Sequence, residues 1–101
     1  MTIVHVVIVK FQQPLSELEA AAITAAAYAM KDTISIIRSL KCGCDLGFGG
    51  PSRLSYSLTA EFDTMDDYKQ YAAHPVHVAF VDTHIKPFMA PNGRTAIQFE
   101  I

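Results

Sequence analysis

The chain has 101 residues, half of them hydrophobic and only 18% charged, with a formal net charge of -2. That length gives one domain, residues 1–101, with a single core. The weak negative balance, with no basic patch, excludes phosphate-neutralising contact with nucleic acid. The apolar runs at Ile3 to Val9 and Ala20 to Ala29 are too short to span a bilayer. So much apolar content in so small a domain predicts a second buried face, a homodimer interface.

Thr2 to Phe11 is rich in β-branched residues on both faces and predicts a strand. His5 shares one face of it with Ile3, Val7 and Phe11 by the period of two. A helix follows Pro14, with Ser16 and Glu19 at capping-box spacing and acidic residues in its first turn. Alanines fill positions 20, 21, 22, 25, 26, 27 and 29. Their smallness fits either close packing on a sheet or the wall of a pocket, and Tyr28 is that helix's candidate for touching a ligand. Ile34, Ile36, Ile37 and Leu40 extend the apolar spacing and predict a further helical turn or two.

Lys41 to Pro51 carries four of the five glycines. It predicts a short, irregular strand and a connecting loop, since the phosphate-cradling Lys-Ser/Thr ending and following helix are missing. Cys42 and Cys44 stand too close for an unstrained disulfide and supply half a zinc site at most. The expectation is reduced thiols in a cytoplasmic protein, with no metal or organic cofactor and no membrane partner. Arg53 to Phe62 alternates, with Leu54, Tyr56, Leu58, Ala60 and Phe62 on one face. Asp63 and Thr64 cap a helix in which Tyr68 and Tyr71 share a side.

The stretch Tyr71 to Phe80 concentrates the chemistry. Pro75 fits the first turn of a new helix, which makes His74 its N-cap. His77 then lies in the first turn, where the helix dipole favours a neutral imidazole able to act as a general base. The same His-Pro-x-His corner can equally serve as a structural joint. His84, seven residues beyond His77, is expected on the same side of this helix, which ends at Pro87. Phe88 to Pro91 predicts a loop and Asn92-Gly93 a turn. Arg94 to Ile101 predicts a closing strand with Thr95, Ile97, Phe99 and Ile101 on one face.

Strand, helix, strand, strand, helix, strand with right-handed crossovers gives an α+β, ferredoxin-like βαββαβ sandwich. Its uncovered sheet face calls for a second copy, forming a dimeric α+β barrel. Glu61-Phe62-Asp63, the tyrosine-bearing helix, Tyr71-Ala72-Ala73-His74-Pro75-Val76-His77-Val78-Ala79-Phe80-Val81 and the closing strand resemble the stress-responsive dimeric α/β-barrel (Dabb) family over essentially the whole chain. Among its members is a plant polyketide cyclase, and that resemblance implies an intramolecular aldol closure of a linear poly-β-keto substrate. It implies His77 as catalytic base, Tyr71 as its partner and His5 as a pocket residue. Another pocket histidine of the cyclase falls on Tyr56, and its alkyl-pocket helix falls on the small residues Ala20 to Ala29. His5, Tyr56, His74 and Tyr28 are therefore the substrate-binding candidates. A non-catalytic dimer that binds a small apolar ligand, or a purely structural dimer, stands as the alternative.

Overall fold

In the computed structural model, which describes all 101 residues, the first strand, β1, spans Ile3–Phe11. Helix α1 follows over Glu17–Thr33, then strands β2 at Ser39–Cys44 and β3 at Ser55–Phe62. Helices α2, Met65–Ala73, and α3, Pro75–Phe80, lead into a π-helical turn at Val81–Ile85 and a 3-10 turn at Lys86–Phe88. The closing strand β4 covers Met89–Glu100. The four strands are antiparallel in the order β2-β3-β1-β4, the ferredoxin-like arrangement expected.

Local chemistry sets most boundaries. The Ser16 hydroxyl accepts from the Glu19 N–H while the Ser16 N–H donates to the Glu19 carboxylate at 2.8 Å. This closes two free donors at the start of α1, a cap of about 1 kcal/mol. Thr64 caps α2 through the Asp67 N–H. α1 stops at Thr33, earlier than its apolar spacing suggests. Ile34 is already extended and Leu40 lies in β2, because Ile34, Ile37 and Leu40 bury themselves as the chain turns back into the sheet. The glycine-rich segment is a connector whose Leu46 and Phe48 stand fully exposed.

One face of the sheet is covered by the helices. Ile3, Phe11, Leu58 and Phe62 from the strands meet Ile23, Met30, Tyr71 and Phe80 from the helices in one core. A large side chain buried there is worth roughly 1.5–3 kcal/mol. No helix covers the other face, which leaves Ile8, Ile97, Phe99 and Ile101 between 46% and 68% exposed. No helix is long and apolar enough to cross a membrane.

Two irregularities depart from the sequence expectation. Asn92 and Gly93 make a bulge inside β4 in place of a turn before it. Val9 pairs with Arg94 and Phe11 with Met89, so one residue of β1 is opposed by four of β4. Asn92 takes a left-handed φ of 56°, and a Cβ on Gly93 would lie 2.5 Å from the Lys10 carbonyl oxygen. The second irregularity is the π-helical turn, where the Lys86 N–H donates to the Val81 carbonyl across an i to i+5 step. Widening the turn changes the phase of the helix. His84 therefore faces a groove against Ala26, Met30 and Thr33 of α1, away from His77.

Candidate functional site

Between sheet and helices lies a cavity of about 230 Å³. His5, Val7 and Val9 of β1 with Tyr56 and Leu58 of β3 form its floor, and Tyr71, His77, Phe80, Val81 and Ile85 its roof. The exposed side chains of Lys86 and Arg94, with Met89, complete the lining at the rim. The enclosure is mostly apolar, with a few polar groups converging on it, the usual make-up of a small-molecule site.

His77 is placed by the chain break at Pro75. The extended backbone of His74 ends α2, and its Nδ1 accepts from the Val76 N–H at 3.1 Å, capping α3. The new helix then points His77 back toward α2, where its Nδ1 lies 3.0 Å from the Ala72 carbonyl oxygen. A carbonyl can only accept, so Nδ1 carries the proton and the lone pair belongs to Nε2. Burial holds the His77 pKa below the ordinary imidazole value; the Ala72 bond opposes this, and Arg94 and His74 add to it. The ring is neutral at physiological pH.

Tyr71 is 1% exposed, and its ring centroid lies 4.3 Å from that of His77. Its hydroxyl has no hydrogen-bond partner within the chain, yet no fully buried side-chain polar atom is unpartnered. The hydroxyl therefore opens onto the cavity. Burial, with a smaller contribution from Tyr68, raises its pKa above the ordinary phenol value, so it stays a protonated donor. His5, 2% exposed, bonds through Nδ1 to the Gln98 side-chain amide at 2.9 Å, and Gln98 also donates to the Tyr68 hydroxyl at 3.3 Å. Burial first, then Arg94 and His77, lower the His5 pKa to about 4. Two neutral imidazoles and a phenol thus meet one apolar space.

Tyr56 reaches the same cavity, but its hydroxyl is bound to Thr24 of α1 at 2.7 Å. Burial raises its pKa as well. No residue of α1 lines the cavity. Of that helix's alanines only Ala27 is fully buried against the core; Ala21, Ala22, Ala25 and Ala29 are exposed, and Ala26 and Ala29 border the outer groove. Of the six residues singled out from sequence, the fold brings His77, Tyr71, His5 and Tyr56 together. His74 lies outside as a helix cap. Tyr28, 43% exposed on α1, also lies outside, its hydroxyl accepting from the Cys42 N–H at 3.4 Å. Four contributors escaped the sequence reading: Gln98 and Tyr68 behind His5, and Arg94 and Lys86 at the rim. Gln98 stands directly opposite His5 in the β1–β4 register, so its polar side chain on the inner face was a usable signal. Cys42 and Cys44 are free thiols, and no three His, Cys, Asp or Glu side chains group as a metal site.

A single layer of helices on a β2-β3-β1-β4 antiparallel sheet, with the cavity between the layers, defines a ferredoxin-like α+β protein. The chain belongs to the stress responsive A/B barrel domain (Dabb) family, whose model it matches over residues 3–101. It is similar to a dimeric ferredoxin-like protein of unknown function from Bacteroides fragilis NCTC 9343, at 27% identity and a TM-score of 0.80, covering 99% of this chain and 96% of that one. A dimeric ferredoxin-like protein of unknown function from Thermobifida fusca YX shares the fold at 24% identity and a TM-score of 0.83, covering 100% and 92%. So does a hydroxynitrile lyase from Passiflora edulis, at 16% identity and a TM-score of 0.78, covering 99% and 93%. No curated protein matches the chain in sequence.

Proposed function

We propose that the protein is a cofactor-free acid–base enzyme of the polyketide-cyclase type, acting on a linear poly-β-keto substrate. The observation that carries this reading is the pair at the cavity: an imidazole whose only free nitrogen is basic, in tilted contact with a phenol whose hydroxyl has no partner within the chain. His77 Nε2 removes a proton from a carbon flanked by two carbonyls, and the C–H electron pair becomes an enolate. The enolate carbon bonds to a third carbonyl carbon farther along the same molecule, whose C=O π electron pair moves onto oxygen. The developing alkoxide is stabilised by the Tyr71 hydroxyl and takes its proton, and the His77 imidazolium returns one to the tyrosinate. Such C–H groups are acidic already, so one base and one donor suffice, and the apolar walls hold the reacting carbons together. In these two residues the chain resembles plant olivetolic acid cyclase, and a lyase of the same fold in Passiflora edulis supports catalysis on this scaffold.

The open sheet face supports a homodimer, as do the dimeric relatives of the same fold. The free thiols at Cys42 and Cys44 fit a reducing, cytoplasmic setting. The test is product profiling with linear polyketide thioesters of several chain lengths, generated in situ by a polyketide synthase. A carboxylated cyclic product that forms with the natural protein and is lost in His77→Ala and Tyr71→Phe is the expected result. An unchanged product mixture from a correctly folded protein would remove the cyclase assignment and leave a ligand-binding module.

A further inference from the structure

The two charged side chains that line the cavity are both cationic, Lys86 and Arg94, although the chain as a whole carries a net charge of -2. They are not equivalent. Lys86 is tied to Asp82 at 3.2 Å, whereas Arg94 takes part in neither salt bridge of the chain. No acidic side chain lines the cavity.

Arg94 reaches this position by the alternation of β4, opposite Val9 in the same unbroken register that sets Ala96 opposite Val7 and Gln98 opposite His5. Met89 and Arg94 both stand opposite residues of β1's inner face, Phe11 and Val9. They are five residues apart, and on a regular strand an odd separation would put them on opposite faces. The bulge at Asn92 and Gly93 changes the phase, as bulges next to sites do. It brings Met89 back onto this face, and Arg94, the first residue past the bulge, stands at the mouth of the apolar chamber, unpaired and lining it with His5 and His77. An unpaired guanidinium is a two-point donor matched to a carboxylate. The chamber is larger than the roughly 150 Å³ cavity known to hold benzene, so it takes one ring with a short substituent.

We propose that Arg94, with Lys86 on the same rim, is a carboxylate-binding site, and that the molecule the cavity accepts is a ring-sized acid with its carboxylate at the mouth and its apolar body against His77 and Tyr71. This rests on the cavity being the active site, and it makes the acid held there the carboxylated cyclic product of the proposed closure, with its ring no larger than the cavity.

The probes are 3-phenylpropanoate and 3-phenylpropan-1-ol, which differ in the charged group, titrated into the natural protein, Arg94→Met and Arg94→Lys by calorimetry or NMR. The natural protein is expected to bind the acid at least about tenfold more tightly than the alcohol, with the preference shrinking as salt is raised. Arg94→Met should bring the two within about threefold while leaving alcohol affinity unchanged. Arg94→Lys, which keeps the charge and loses the two-point hold, should fall between, and it decides the matter if Arg94→Met does not fold. Equal affinities in the natural protein, no binding of either probe, or a preference that survives both substitutions would overturn the proposal. Binding requires no turnover, so this result is independent of whether His77 catalyses a reaction.

Discussion

The Nδ1 of His77 and the carbonyl oxygen of Ala72 lie 3.0 Å apart, and that one bond decides which ring nitrogen is left for chemistry. It exists because α2 stops at Ala73 and Pro75 starts a new helix, aiming the imidazole back across the break. If proton removal by neutral His77 limits the rate, activity rises with pH as the imidazolium loses its proton. Since the folded pKa lies below the ordinary 6.5, the rising limb falls on the acid side of that value and the profile is flat through neutrality. His77→Ala should lower kcat by about 10²–10⁴-fold and abolish the limb. A pH–rate profile of the two proteins checks both statements.

His5 provides a separate, thermodynamic pH signature. Its folded pKa of about 4 lies below the unfolded value of 6.5, so between these limits the unfolded chain binds more protons. The stabilisation is complete above 6.5 and is lost as pH falls toward 4. Thermal melts of the natural protein and His5→Gln across this window are expected to converge as pH drops. Parallel curves would show that His5 does not titrate with folding.

Gly93 is held between two backbone carbonyls, and a Cβ there would lie 2.5 Å from that of Lys10 and 2.8 Å from that of Ala90. Backbone cannot yield as a side chain does. Gly93→Ala should destabilise the fold by about 1–3 kcal/mol, a fall in Tm of several degrees for a domain of this size. Because Arg94 follows directly on Gly93, the same variant should also weaken discrimination between acid and alcohol probes.

On the open sheet face Phe99 is 46% and Ile97 56% exposed. If a second copy covers them, a charge at Phe99 would be buried without a partner, at a cost of several kcal/mol. Light scattering coupled to size exclusion should give a dimer mass for the natural protein and a monomer for Phe99→Glu.

The features legible in sequence were those set by neighbours along the chain. The Ser16–Glu19 capping box, the Thr64 cap, the His74-Pro75 corner and the alternation from Tyr56 to Phe62 each depend on a few adjacent residues, and each is present as read. What escaped was phase. Ile34 to Leu40 keep helical apolar spacing yet turn into β2, because burying those side chains against the sheet outweighs local propensity. The π-helical turn rotates His84 away from His77, and the bulge returns Met89 to the inner face that Arg94 and Gln98 share; neither change of phase is marked by periodicity. Asn92-Gly93 carried the signal of an irregular backbone, but the same pair suits a turn or a bulge, and only pairing with β1 distinguishes them. The alanines of α1 invited a pocket wall, but most of them face outward and Thr24 turns the Tyr56 hydroxyl toward the helix, so no residue of α1 lines the cavity.

The central claim is that His77 Nε2 takes a proton from carbon inside this cavity. Hydrogen–deuterium exchange tests it most directly: a ring-sized β-dicarbonyl compound with one hydrogen between its carbonyls is placed in D2O and followed by proton NMR. The natural protein should accelerate exchange above the buffer rate, His77→Ala should return it to that rate, and Tyr71→Phe should slow it. Exchange at the buffer rate with the natural protein, or equal acceleration by His77→Ala, would contradict the account.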